Sequence, residues 1–299
     1  MNIRGFSAGV LLAGIVAGTA ADRPVARPGL TLGGYRVLAA DFHIHSSTWS
    51  DGGLTPWGLV LEAERQGLDV IAITGHDQVS DAKVGRWFSK RAGGPTVLVG
   101  QEILSPGHHV IGVGTEEVVD SRLSVINQVD AIHRQGGVAV AAHPSRAFWP
   151  GYDDLAMRQL DGAEICHPLI YEHPEGQREL EEFAARAPLA AIGSSDFHGI
   201  GRMGICRTFV FARDDTAAAV LEALSAHRTV VYGLDGKAYG DPALIALAAD
   251  RPELRAATTV DAAPGWLDWI SRVCGVCGLL GLTLGRARRG GGGNTRNWL

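Results

Sequence analysis

Cysteine is scarce, with four residues in 299. Cys166 and Cys206 sit in apolar runs, where a reduced thiol packs as a small hydrophobe. Cys274 and Cys277 make one Cys-x-x-Cys pair. No second pair completes a zinc site, and no thioredoxin-like context surrounds it. A disulfide scaffold is therefore excluded. A basic excess is also absent: 27 Lys and Arg stand against 32 Asp and Glu. Arg4, Arg286, Arg288, Arg289 and Arg296 lie outside the stretch that holds every acidic residue, so the middle is more acidic than the net charge of −5. A nucleic-acid binder normally presents a basic face, so no stable nucleic-acid complex is expected. Uninterrupted apolar runs are short. The longest near the C terminus, 273–285, falls below the ~20 residues of a transmembrane helix.

What is present reads as one globular body between two apolar ends. Residues 1–21 have Arg4, an apolar segment and the small residues Gly18-Thr19-Ala20-Ala21, the pattern of a cleavable export signal or an N-terminal anchor. Residues 22–34 read as a Pro/Gly-rich linker. Residues 35–235 alternate short apolar strands with amphipathic helices. Strands are expected at 35–42, 69–74, 96–99, 109–113, 137–141, 162–166, 189–193 and 206–211. Helices are expected at 55–66, 81–91, 121–135, 152–160, 175–187 and 216–227. Repeated βα units imply an α/β fold with a parallel sheet, open or closed into a barrel. Residues 236–264 form a poorly defined extension. Residues 265–299 are an apolar segment with a basic, Gly-rich tail, and 266–285 offers a membrane-associating stretch. The body is expected to be exported, periplasmic or extracellular, with the ends available as a tether. No protein partner is predicted.

Six polar clusters recur at the ends of the apolar runs. They are His43, His45 and Asp51; His76 and Asp77; Glu102; His108 and His109; His143; and Asp196 with His198. Alternation along a strand puts His43 and His45 on one side, and likewise Asp196 and His198. Imidazole and carboxylate are ligands for borderline first-row metals such as Zn, Mn and Fe. In barrels such residues collect at the C-terminal ends of the strands. One histidine alone is unremarkable. Six clusters at successive strand ends point to a metal centre. Arg146 and Arg202 follow His143 and His198 closely and are candidates to hold a phosphate or carboxylate. Either could equally be a surface or salt-bridge arginine.

The motifs Asp41-Phe42-His43-Ile44-His45, Ser50-Asp51-Gly52, Ile73-Thr74-Gly75-His76-Asp77, Ala142-His143-Pro144 and Ser194-Ser195-Asp196-Phe197-His198 resemble the PHP (polymerase and histidinol phosphatase) family, over about residues 36–232. The layout around Glu102 is similar to its CehA/McbA-like branch. The resemblance implies a distorted (β/α)7 barrel of the PHP type and two or three divalent ions. By matching motif it implies a first ion on His43, His45, Glu102 and Asp196. A second would be shared by Glu102, His109 and His143, and a third by Asp51, His76 and His198. The position before Val110-Ile111-Gly112 is where the family carries its histidine, which selects His109 over His108. One departure is Gly75, where the family has a carboxylate; the adjacent Asp77 is the candidate substitute.

The implied activity is metal-dependent hydrolysis of a phosphomonoester or phosphodiester of a small molecule or nucleotide. Bound divalent ions activate water and neutralise charge developing on phosphoryl oxygens. Asp196 or His198 would aid the leaving oxygen, with Arg146 and Arg202 as anion contacts. Hydrolysis of a carboxylic ester, carbamate or amide is the alternative, because the same ions polarise carbonyls. A non-catalytic envelope metal-binding role is the second alternative.

Overall fold

The structure, a computed structural model, describes residues 3–21, 29–168, 174–233, 235–259 and 266–290. It divides into two compact units, one of Pro24–Val260 and one made from both chain ends. The end unit begins with helix α1 (Ile3–Ala21).

In the larger unit, β1 (Leu30–Leu32) pairs antiparallel with the start of β2 (Tyr35–Ile44). Residues 29–34 of the expected linker are thus structured; 22–28 lie outside the described residues. Helix α2 (Pro56–Arg65) starts where the sequence indicates. The Thr55 side chain accepts from the Gly58 N–H at 3.2 Å, and Pro56 occupies the first turn. Such a cap is worth about 1 kcal/mol. Then come β3 (Val70–Ile73), α3 (Ser80–Ala92), β4 (Thr96–Ser105), β5 (His108–Val113), α4 (Val125–His133) and β6 (Val138–Ala141). These are followed by α5 (Asp154–Gln159), β7 (Gly162–Cys166), α6 (Pro174–Ala184), β8 (Ala190–Gly193), β9 (Thr208–Ala212), α7 (Ala217–Ser225) and β10 (Thr229–Tyr232).

With β11 (Ala238–Gly240) at one edge, the sheet runs β11-β10-β9-β2-β3-β4-β5-β6-β7-β8. It is mixed rather than parallel. β2, β3 and β4 are parallel, as are β6, β7 and β8, but β5 is antiparallel to both its neighbours and β9 is antiparallel to β2. Two departures from strict βα alternation cause this. β4 and β5 form a hairpin, which needs no helix, and β8 passes to β9 through turns. The ends of the sheet approach one another. The Gly193 N–H donates to Thr208 Oγ1 at 2.8 Å, and that hydroxyl donates to the Gly193 carbonyl at 2.9 Å. A Cβ at Gly193 would fall 2.2 Å from the Cys206 carbonyl oxygen, so the seam closes only over glycine. The result is a mixed α/β fold with a nearly closed, barrel-like sheet.

Two apolar layers line β2. Leu38, Ala40 and Phe42 pack with Val70, Ala72, Val210 and Val220, whereas Val37, Ala39 and Ile44 pack with Leu59, Ile71 and Phe209. Strict alternation would put Ile44 with Phe42. The register between β2 and β3 shifts between Asp41 and Ile44, so the strand changes face there. That irregularity falls where β2 delivers His43 and, just past its end, His45.

Residues 236–259 are not a loose extension. β11 (Ala238–Gly240) pairs with β10, and α8 (Pro242–Ala248) and α9 (Pro252–Thr259) send Leu244, Ala248 and Leu254 into the core beside Tyr232. Residues 260–265 lie outside the described residues. The end unit closes with α10 (Trp266–Gly290), which is packed against α1. The Gly-rich tail after residue 290 also lies outside the described residues.

Candidate metal centre

The residues that converge come from six strands and their exits. His43 lies on β2 and His45 directly after it; His76 follows β3, Glu102 lies within β4, and His109 on β5. His143 follows β6, and Asp196 and His198 follow β8. Asp51 is in the loop before α2. Glu102 is not at a strand end, as its surroundings in sequence suggest. β4 pairs with β3 up to Val99 and with β5 from Gly100 on, so Glu102 sits where the strand changes partner.

Glu102 reaches in two directions. Its Oε2 lies 3.2 Å from His43 Nε2, 3.5 Å from His45 Nε2 and 3.1 Å from His76 Nε2. Its Oε1 lies 3.0 Å from His109 Nδ1 and 3.1 Å from His143 Nε2. Asp196 Oδ1 completes the first set, 3.3 Å from His43 Nε2 and 3.0 Å from His45 Nε2. Around Asp51 Oδ1 lie His76 Nδ1 at 3.6 Å, His198 Nε2 at 3.4 Å and His45 Nδ1 at 3.7 Å. His109, not His108, faces Glu102. His108 turns to Gln128 Oε1 at 3.2 Å and packs on Tyr152.

These residues fit a metal centre. His43 Nε2, both ring nitrogens of His45 and Asp196 Oδ1 are buried without a hydrogen-bond partner. Buried polar atoms are rarely left so. Ligands ~2.1 Å from a tetrahedral ion sit roughly 3.4 Å from one another, and the four contacts among His43, His45, Glu102 and Asp196 span 3.0 to 3.5 Å. Donor groups of this kind form around Glu102/Asp196, around Glu102/His109/His143 and around Asp51.

The electrostatics agree. Burial pushes the His43 pKa down, but Asp196, Glu102 and Glu164 outweigh it and hold the ring well above its ordinary value. A field that retains a proton there also favours a divalent cation in its place. Burial lowers His45 to about 4, which leaves its ring neutral and able to donate a lone pair near pH 7. Burial raises Glu102, yet the surrounding histidines, His43 foremost, bring it well below the usual carboxylate range. Backbone strain is concentrated here too. His143 (φ 27°) and Asp196 (φ 47°) occupy positive-φ conformations that non-glycine residues rarely adopt, at a cost of order 1 kcal/mol each.

The family model described as PHP-associated matches residues 174–229. In fold, the chain is similar to a two-domain protein from Bacteroides vulgatus described as containing a predicted PHP-like metal-dependent phosphoesterase. The TM-score is 0.57 at 23% identity, over 71% of this chain and 69% of that one. This likeness shows a shared fold. In sequence, the chain is 27% identical over 139 residues to an uncharacterized protein from Methanocaldococcus jannaschii, covering 43% of this chain and 81% of that protein. It is 28% identical over 126 residues to a 5'-3' exoribonuclease from Haemophilus influenzae. That match covers 41% of this chain and less than half, 45%, of the exoribonuclease.

Arg146 and Arg202 have partners outside the donor set. Arg146 pairs with Glu182 at 2.7 Å and its backbone N–H donates to Glu179, both on α6. Arg202 Nε donates to Gln66 Oε1 at 3.1 Å. Arg146 thus takes the salt-bridge alternative that the sequence left open, and Arg202 has an amide partner.

Four residues were absent from the candidate set. Glu164, fully buried on β7, accepts from His43 Nδ1 at 2.9 Å and from the His143 N–H at 2.5 Å. A proton on Nδ1 leaves His43 Nε2 free to face Glu102 and Asp196. His167 Nε2 lies 3.5 Å from Asp196 Oδ2, and His43, Glu164 and His167 form a further buried donor group. Asp41 holds the loop that carries Asp196. It accepts from the Ser195 hydroxyl, from the Ser195 N–H at 3.1 Å and from the Gly204 N–H at 2.8 Å.

The fourth is Asp81, which resolves the Gly75 departure. Asp77 is not the substitute: its Oδ1 accepts from the Leu104 N–H. A Cβ on Gly75 would instead fall 2.0 Å from Gln78 Nε2 and 2.6 Å from Asp81 Oδ2. The space of a side chain at 75 is thus filled by Gln78 and by Asp81 of α3, and the Asp81 carboxylate accepts from Ser46 Oγ at 2.8 Å, next to His45. Gly75→Asp is therefore expected to destabilise the domain through overpacking, lowering Tm by about 5 °C in a thermal melt. An unchanged or raised Tm would contradict this account.

Proposed function

We propose that the PHP domain is a metal-dependent hydrolase of phosphoesters, acting on a small molecule or nucleotide. The carrying observation is the Glu102 carboxylate, whose two oxygens face separate histidine sets. Two or three ions would be held: one by His43, His45, Glu102 and Asp196, one by Glu102, His109 and His143, and one by Asp51, His76 and His198. The mixed imidazole and carboxylate set suits Zn, Mn or Fe. When bound, the ions supply positive charge for phosphoryl oxygens and a water of lowered pKa.

The chain's own residues prepare that chemistry. Glu164 fixes the His43 ring, and the His198 Nδ1–H donates to the Asp196 carbonyl at 2.8 Å, which leaves His198 Nε2 toward Asp51. Asp41 seats the Ser195–Asp196 turn on β2. Phe148 packs on His109 and His143, with ring centroids 4.7 Å and 5.7 Å away, and restricts both rings.

The test is metal analysis of the purified protein, followed by a substrate panel after loading with Mn, Zn or Fe. Turnover of aryl phosphomonoesters, phosphodiesters or nucleotides well above that of aryl esters and carbamates is expected. Cleavage of carbon-centred esters with no phosphoester turnover would replace this reading by the carbonyl one.

A further inference from the structure

The end unit inverts the arrangement of a water-soluble helix pair. Helices in water bury large apolar side chains and expose polar ones. Here α1 and α10 meet through small residues. A Cβ on Gly14 would lie 2.9 Å from the Gly275 nitrogen, one on Gly18 2.7 Å from Ser271 Oγ, and one on Gly278 2.7 Å from Leu11. One on Gly281 would lie 2.1 Å from Ser7 Oγ. These contacts run in opposite directions along the two helices, so the pair is antiparallel. The large apolar residues point outward instead. Leu12, Ile15 and Val16 on α1, with Val273, Val276 and Leu280 on α10, are each 55 to 60% exposed.

We propose that this outer face is a lipid-binding surface, with the α1–α10 pair seated in a bilayer carrying anionic headgroups. No helix among the described residues is long and apolar enough to cross a membrane, so the inference concerns insertion of the paired face. Three observations favour lipid as the occupant. Close backbone approach through glycine and serine, with bulky residues outside, is the packing used where the surroundings are as apolar as the side chains. The antiparallel register also brings Arg4 of α1 to the end where α10 carries Arg286, Arg288 and Arg289 in sequence. Each such charge near an anionic surface is worth about 1 kcal/mol. Trp266 and Trp269 of α10 are exposed at 72% and 57%, as rings that settle at headgroup level are.

This inference stands independently of the hydrolase reading. The full-length chain is tested by flotation with vesicles of phosphatidylcholine and phosphatidylglycerol at 3:1. The wild-type protein is expected to float with the vesicles. An Ile15→Lys/Val276→Lys double variant, which leaves the glycine seam intact, is expected to float at least ten-fold less while retaining wild-type metal content. Wild-type protein left in the dense fraction would overturn the proposal, as would a double variant that floats equally well. A lipid-free dimer that the double variant abolishes, without vesicle binding by the wild type, would assign the face to a second copy of the chain.

Discussion

Glu102→Gln is expected to reduce hydrolysis by about 10³-fold or more and to remove at least one ion per chain, as read by elemental mass spectrometry. The reason is geometric. Among the described residues, Glu102 is the only one shared between the set with His43, His45 and Asp196 and the set with His109 and His143. Glutamine keeps the shape and one acceptor oxygen but supplies no negative charge and turns an N–H₂ toward one histidine set. It is a near-isostere in a buried position, so the fold should persist. A melt near that of the wild type with metal and activity lost would locate the effect in the centre itself. A Glu102→Gln protein with full metal content and turnover would remove the basis for the proposed function.

Glu164→Gln should separate holding an ion from orienting its ligand. Glu164 is on the opposite side of the His43 ring from Glu102 and Asp196, at Nδ1 rather than Nε2. Loss of such a carboxylate behind a metal-ligating histidine typically costs 10- to 100-fold in metal affinity. The expected result is weaker metal binding in a chelator competition, with activity recovered at excess metal. Replacing a charge-assisted hydrogen bond by a neutral one should also cost about 1 kcal/mol of stability. If Glu164 instead holds an ion of its own together with His167, excess metal will not restore the wild-type stoichiometry. If it serves the fold alone, Tm will fall while metal affinity is unchanged.

The two substitutions also show why one was legible in sequence and the other was not. Glu102 stands in a chain of motifs that each carry a histidine, and the βα alternation brings strand exits to one end of a sheet. Glu164 lies inside Gly162–Cys166, a run that reads as one more buried strand. Its only signal is a carboxylate in a position whose neighbours are all buried, which calls for a cationic or hydrogen-bonding partner. His167 directly follows that strand and carried the same signal, unread.

Short-range regularities account for most of what could be read. Cap chemistry located the start of α2 at Thr55-Pro56, and period-two alternation put His43 and His45 on one side, their ring centroids 5.0 Å apart. Where alternation breaks, reading fails. Asp41 appears to share a face with His43 in sequence, yet the register shift after Asp41 separates their roles, one seating a loop and the other facing the donor set. The strand partner switch at Gly100 and the antiparallel course of β5 and β9 were equally hidden, because strand direction depends on whole-chain topology.

From sequence alone came the residue types of the centre and the placement of most of them at or near strand exits. These follow from local chemistry, since histidine and carboxylate carry their ligand properties wherever they sit. Only the tertiary structure decided which oxygen of Glu102 meets which histidines, that Glu164 backs His43, that Asp81 fills the space beside Gly75, and that Arg146 and Arg202 are drawn to other partners. It also decided that the two apolar ends pack on each other through glycine. All of these depend on contacts between residues far apart in the chain, and such contacts are set by packing and by the need to pair every buried charge.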